Sequence, residues 1–130
     1  MSYILKLLKN NFLLALLSFM KSKNWVNRQK NDQFVKKAKQ LGYINRAAFK
    51  LEEIEQKYKI IENSKEILEL GSSPGGWTQV ILNYNPKTKI TCFDLLDMKM
   101  KNKRITFYRE DFLKYNFINI KTKFDLILSD

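Results

Sequence analysis

The feature that most constrains the fold is a glycine-rich turn directly after an apolar run. The segment Ile67-Leu68-Glu69-Leu70 leads into Gly71-Ser72-Ser73-Pro74-Gly75-Gly76-Trp77. A buried strand that breaks into such a turn and then opens a helix is how α/β domains present backbone N–H groups to a cofactor. The glycines form neither the G-x-G-x-x-G of dinucleotide enzymes nor the G-K-[ST] ending of a phosphate-binding loop. The turn therefore favours a nucleoside cofactor without a pyrophosphate, and S-adenosylmethionine (SAM) is the leading candidate.

The hydrophobic pattern predicts an α/β fold around this turn. It predicts helices over 32–41 with Asn31 as the cap, over 46–59 with Asn45 as the cap, and over 77–84. Because a parallel sheet usually has more than four strands, we expect the chain to stop within its domain. The fold class is then a three-layer α/β sandwich truncated after about the fourth strand. The predicted strands are 66–70, 89–93, 105–108 and 124–128.

The charge of the chain is strongly and unevenly positive. Its 130 residues allow at most one domain, and 24 Lys and Arg against 13 Asp and Glu give a net charge of +11. Between Met20 and Lys50 the basic residues are opposed only by Asp32. Such a block attracts a polyanion such as RNA or DNA, and the alternative is a solvated lysine-rich face. The basic residues of the block are Lys21, Lys23, Arg28, Lys30, Lys36, Lys37, Lys39, Arg46 and Lys50.

Cysteine and histidine usage excludes two classes of site. Cys92 is the single cysteine, so no disulfide can form within the chain, and a reducing compartment fits. With no histidine and one cysteine, a structural zinc site is set aside, and we expect no metal.

The first twenty residues form a separate apolar segment. The run over 12–20 is too short to span a bilayer, so we expect no stable membrane partner. It is similar to a signal sequence but has no small-residue cleavage site, and it lacks the arginines of a mitochondrial presequence. A third interpretation, that Met20 is the true start, also stays open.

Carboxylates follow several of the predicted strands. Asp94 lies 23 residues after Gly71, about where an acidic residue accepts hydrogen bonds from ribose hydroxyls. Asp111 could accept from an adenine amino group, and Asp130 would lie beside the reacting centre. Because ligands of open α/β sheets bind at the carboxyl ends of the strands, the three together indicate a ligand site. Each alone could equally cap a turn.

Several short motifs follow one another from Ser22 to the end of the chain. The motifs are Ser22-Lys23-Asn24-Trp25 with Asp32-Gln33-Phe34-Val35, Asn45-Arg46-Ala47-Ala48-Phe49-Lys50-Leu51, Leu70-Gly71-Ser72-Ser73-Pro74-Gly75-Gly76-Trp77, Phe93-Asp94-Leu95-Leu96, Glu110-Asp111-Phe112 and Leu128-Ser129-Asp130. In this order they resemble the motifs of the FtsJ/RrmJ ribosomal RNA 2′-O-methyltransferases. The combination of R-A-x-F-K-L with P-G-G-W is far more specific than a glycine turn. The family usually has alanines where Ser72 and Ser73 stand.

The resemblance implies a Rossmann-like, SAM-dependent methyltransferase with a K-D-K-E catalytic set. Lys50 matches the first member and Asp130 the second, and the remaining lysine and glutamate lie after residue 130. Apart from the resemblance, Lys50 borders a buried helix stripe and could simply extend its charged end into water. The SAM-contacting residues that the resemblance implies are Gly75, Trp77, Asp94, Asp111 and Asp130.

The expected function is SAM-dependent 2′-O-methylation of a ribose in large-subunit ribosomal RNA, with a uridine as the target nucleotide. The alternatives are a transfer RNA methyltransferase of the same family, a non-catalytic RNA-binding or ribosome-assembly module, and a nicotinamide oxidoreductase, which the glycine order disfavours. We expect a cytoplasmic monomer, or a protein of the mitochondrial matrix if residues 1–20 are a presequence. The predicted regions are an apolar extension (1–20), a basic helical RNA-binding region (21–60) and the first part of the SAM-binding domain (61–130).

Overall fold

The fold is built on one parallel sheet. In the computed structural model the described residues are the strand at 13–16 and the chain from 32 to 129. The spatial order of the strands is β1-β5-β2-β3-β4, and every pair of neighbours is parallel. The strands are β1 (Leu13–Leu16), β2 (Glu66–Leu70), β3 (Lys89–Phe93), β4 (Ile105–Tyr108) and β5 (Leu126–Ser129).

Three α-helices lie within the described residues: α1 (Gln33–Gln40), α2 (Ala47–Tyr58) and α3 (Gly76–Tyr84). The residue that caps α1 is Asp32, whose carboxylate accepts the Phe34 N–H at 2.7 Å, and the predicted cap Asn31 lies outside the described residues. The prediction that Asn45 caps α2 is wrong. The cap is Arg46, and no side-chain hydrogen bond is made there, because Asn45 packs against another helix.

One face of the sheet forms the main core. Alternate strand residues such as Ile67, Ile90 and Leu126 point to this face and are fully buried. Helices α2 and α3 cover it with Leu51 and Val80, which are also fully buried. The apolar residues that alternate along the strands therefore pack against the apolar faces of two helices.

The opposite face is covered by the connection between β4 and β5. Phe93, fully buried, stacks on Tyr108 with ring centroids 4.9 Å apart. Tyr115 and Phe117 of the connection lie at 4.9 and 5.2 Å from the same ring. Among the described residues, the third layer of the α/β sandwich is therefore an aromatic connection with one 3₁₀ turn, Phe117–Asn119, and no α-helix.

The predicted bounds of β2, β3 and β4 are confirmed, whereas the last strand begins at Leu126 and not at 124. Asp125, just before this strand, joins the amino ends of β5 and β2, because its carboxylate accepts the N–H groups of Lys65 and Glu66 at 2.9 and 3.2 Å. Strand β1, which the sequence did not predict, pairs with β5. No helix in the described part of the chain has the length and apolar character to cross a membrane.

Candidate functional site

The carboxyl ends of the strands are in register. Leu70 at the end of β2 pairs with Phe93 of β3 and with Ser129 of β5, and Phe93 pairs with Tyr108 of β4. The glycine turn and Asp94 therefore leave the sheet side by side at one edge. Asp130 follows Ser129 in the sequence but lies outside the described residues.

The glycine turn is anchored to the end of β3. The N–H groups of Gly71 and Ser72 both donate to the carbonyl oxygen of Phe93, at 2.8 and 3.1 Å. Gly75, the residue before α3, has φ +118, a left-handed conformation that favours glycine. Helix α3 starts directly at Gly76, so its first N–H groups lie at the carboxyl edge, as an anion- or cofactor-binding helix start requires.

The connection after β3 closes over this turn. The Lys99 N–H donates to the carbonyl oxygen of Pro74 at 3.0 Å, and the Ser73 hydroxyl donates to the carbonyl oxygen of Asp97 at 2.8 Å. A Cβ atom at Gly75 would lie 2.8 Å from Cγ of Met100. Gly75 is therefore needed both for its backbone conformation and for the close approach of this connection.

The carboxylate of Asp94 holds the turn in place. One oxygen accepts the Ser73 N–H at 2.8 Å and the other accepts the Leu96 N–H at 2.9 Å. A carboxylate offers about four lone-pair sites, so Asp94 keeps acceptor capacity at the edge after making these two bonds. Asp94 is thus a structural part of the turn and also a group that a ligand could contact.

Asp111 makes a more local contact. One of its oxygens accepts the Leu113 N–H at 2.9 Å, which is a turn formed by its own neighbours. Its second oxygen has no hydrogen-bond partner among the described residues. The structure places Asp111 beyond the end of β4, the neighbour of β3.

Trp77 joins the glycine turn to the helix that carries Lys50. Its indole is 4% exposed and packs in the main core, and its N–H donates to the carbonyl oxygen of Ala47 at 2.8 Å. Lys50 lies on α2 one turn after Ala47 and is partly buried. The structure therefore brings α2, which carries Lys50, and the glycine turn together through Trp77, whose ring lies in the core.

Gln79 makes a second link, which the sequence did not predict. Its amide oxygen accepts the Ile44 N–H at 3.0 Å, and its amide nitrogen donates to the carbonyl oxygen of Gly42 at 2.9 Å. Both groups of one side chain thus hold the turn that leads into α2. The signal available in the sequence was a polar residue within the apolar segment 77–82.

Glu69 is a buried carboxylate beneath the glycine turn, and it too was missed. It is 2% exposed and accepts a hydrogen bond from the Thr78 hydroxyl at 2.5 Å. The Cys92 thiol lies 3.7 Å from the same oxygen. Burial, together with the charge of Glu69, raises the pKa of the Cys92 thiol far above its usual range. Cys92 is therefore a protonated core residue and not a nucleophile.

A cavity of about 490 Å³ lies under the connection after β3, lined in part by Met98, Met100 and Phe107. None of the predicted site residues Lys50, Asp94 and Asp111 lines it. We therefore place the candidate site at the carboxyl edge and not in this cavity.

A parallel sheet with a glycine turn that opens a helix, and with carboxylates after the next strands, defines a Rossmann-like α/β protein with its site at the carboxyl edge. The family model described as FtsJ-like methyltransferase matches residues 43–130. The chain therefore belongs to the FtsJ-like methyltransferase family, and the family expected from the sequence motifs is confirmed.

Similar proteins carry related names. The ribosomal RNA large subunit methyltransferase E of Zymomonas mobilis is 41% identical over 91 residues, which are 70% of this chain and 41% of that protein. The protein of the same name from Anaplasma phagocytophilum is 40% identical over 119 residues, 84% of this chain and 47% of that protein. The chain thus spans less than half the length of these two relatives.

One solved structure is also similar. It comes from Plasmodium falciparum and is described as a ribosomal RNA methyltransferase. The TM-score is 0.57 at 33% sequence identity, and the match covers 68% of this chain and 56% of that one. The likeness confirms the predicted α/β, Rossmann-like fold class.

Proposed function

We propose that the protein transfers a methyl group from SAM to a ribose 2′-hydroxyl of large-subunit ribosomal RNA. The observation that carries the proposal is the link between the glycine turn and the Lys50 helix. Trp77 and Gln79 of α3 both bond the segment 42–47, so a cofactor-binding turn and a partly buried cation belong to one rigid unit. The names of the similar proteins support ribosomal RNA as the substrate.

The polar groups at the carboxyl edge fit SAM. SAM carries donors on its ribose and its adenine amino group, and Asp94 and Asp111 both keep unused acceptor lone pairs there. The neighbouring positions of β3 and β4 suit a nucleoside that extends across two strand ends. We propose that Gly75 and Asp130 contact the same ligand, with Trp77 supporting the turn from inside.

SAM supplies an electrophilic methyl group on a sulfonium. What this chain contributes is positioning, because an in-line displacement needs the two reacting atoms held close and aligned. Lys50 is a cation on a helix that is fixed to the turn, and we propose that it holds the acceptor ribose or its phosphate. The lysines at positions 36, 37 and 39 of α1 are exposed and would bind RNA phosphates.

The test is methyl transfer from labelled SAM to ribosomal RNA by the full-length protein, with SAM affinity measured by calorimetry. We expect Lys50→Ala to abolish transfer while SAM affinity stays within about twofold, because Lys50 is proposed to act on the acceptor. Lys57→Ala is the matched control, since it removes an exposed lysine from the same helix. Near-normal turnover of Lys50→Ala would remove Lys50 from the mechanism.

The same assay separates the alternatives. Transfer to transfer RNA and not to ribosomal RNA would identify the other branch of the family. RNA binding without any transfer would support a non-catalytic module. Binding of NAD in place of SAM would overturn the methyltransferase proposal.

A further inference from the structure

A row of lysines runs along the connection between β3 and β4. Lys99, Lys101 and Lys103 are exposed, whereas Met98, just before the first lysine, and Met100 are partly buried against the main core. Because the methionines pack inwards, the three lysines are left on the solvent side of this connection. We call Lys99, Lys101 and Lys103 the lysine row.

The lysine row begins at the glycine turn. The Lys99 N–H is bonded to the carbonyl oxygen of Pro74 at 3.0 Å. From there the connection continues to Arg104, just before β4. The row therefore starts beside the candidate site and leads away from it.

The charges of the lysine row are available to a ligand. None of the three lysines forms an ion pair with another residue of the described chain. The nearby anion Asp97 is paired with Arg109 at 3.2 Å. Arg104 is not available in the same way, because its guanidinium donates to the carbonyl oxygens of Leu82, Asn85 and Thr88.

The two glycines at the start of α3 separate this row from the basic helices. A Cβ atom on Gly75 would meet Met100 of the connection, whereas one on Gly76 would meet Asn45 at the entrance to α2. The turn thus lies between two elements that both carry exposed lysines, the lysine row on one side and α1 with α2 on the other.

We infer that the lysine row is a second phosphate-binding surface, which holds the RNA substrate as it leaves the candidate site. This inference rests on the proposed function for the identity of the RNA. The basic helices would bind the strand on one side of the reacting nucleotide and the row on the other. A polyanion such as an RNA backbone is the ligand that a group of exposed lysines without ion pairs attracts.

The experiment compares triple alanine variants of the full-length protein that remove the same charge. Lys99, Lys101 and Lys103 are replaced in the test variant. Lys114, Lys121 and Lys123 are replaced in the control, since they are exposed and lie on the connection that covers the opposite face. The affinity for a ribosomal RNA fragment is measured from 0.05 to about 0.3 M salt, a range over which phosphate contacts dominate affinity.

We expect the test variant to bind about tenfold more weakly and its salt slope to fall by about 2, as three lost phosphate contacts predict at about 0.7 each. The control should bind like the wild type. An unchanged slope in the test variant, or an equal change in the control, would overturn the inference. SAM-dependent transfer by the wild type is measured separately. If the salt slope falls in the test variant but the wild type transfers no methyl group, the RNA-binding inference is supported and the proposed function is rejected.

Discussion

Gly76→Ala tests how closely the glycine turn packs on the entrance to α2. Gly76 is the first residue of α3, and a Cβ atom there would overlap Oδ1 of Asn45 and lie 2.8 Å from its Cγ. Ordinary carbon contacts begin at about 3.5 Å, so Asn45 would have to move. The same substitution in an open helix position would stabilise the protein, because alanine is the better helix former.

The magnitude follows from these two opposed effects. Overpacking of this kind costs about 1–3 kcal/mol, and the gain in helix propensity is at most about 1 kcal/mol. We therefore expect Gly76→Ala to lower the free energy of unfolding by about 1–2 kcal/mol. Oδ1 of Asn45 is buried and has no hydrogen-bond partner in the described residues, so Asn45→Ala alone should change stability little.

The assay is a double-mutant cycle by urea unfolding. In the Asn45→Ala background the obstacle is gone, and Gly76→Ala should become neutral or stabilise by up to about 1 kcal/mol. The coupling between the two positions is then about 2 kcal/mol, well above the error of additivity. If Gly76→Ala lowers the free energy of unfolding equally in both backgrounds, the contact with Asn45 does not explain why glycine is needed.

The remaining predictions concern three single side chains. Gln79→Leu should lower the free energy of unfolding, measured by thermal unfolding, by about 1–2 kcal/mol, since two hydrogen bonds to partly exposed backbone groups are lost. It should also lower the turnover of methyl transfer more than it lowers SAM affinity. An equal loss of both would contradict a positioning role. Cys92 should react with iodoacetamide at least about a hundredfold more slowly in the native protein than in urea, because its burial keeps the thiol protonated and covered; a rapid native reaction would refute this. The pKa of Tyr43 is raised to about 12, first by its hydrogen bond to Glu52 and then by burial, so the stability it contributes is full below pH ~10 and is lost as the pH rises towards about 12. Tyr43→Phe should flatten the pH dependence of unfolding in that window, and an unchanged profile would show that Tyr43 does not titrate there.

The strands near the site could be predicted because their signals are local. Apolar runs of strand length that end at glycine or aspartate define β2 and β3. The same logic misplaced the start of β5, because Asp125 looks like a strand residue until its bonds to Lys65 and Glu66 are seen. Strand β1 was not predicted because an apolar run does not reveal its pairing partner.

Asn45 shows why side-chain roles were harder to predict. Its type and its place before a helix are typical of an N-cap, and capping is a contact with the next few residues. In the structure its side chain lies instead against Gly76, 31 residues later in the sequence. A local preference was therefore overridden by a tertiary contact.

The sequence by itself determined the α/β class, the glycine turn and the family, because these depend on residue types at short spacings. The tertiary structure decided how the turn is held. Trp77, Gln79 and Asp94 each bond a backbone group at least 20 positions away, and no spacing rule connects such distant residues. It also set the lysine row beside the turn, since only the packing of Met98 and Met100 fixes which side of that connection faces solvent.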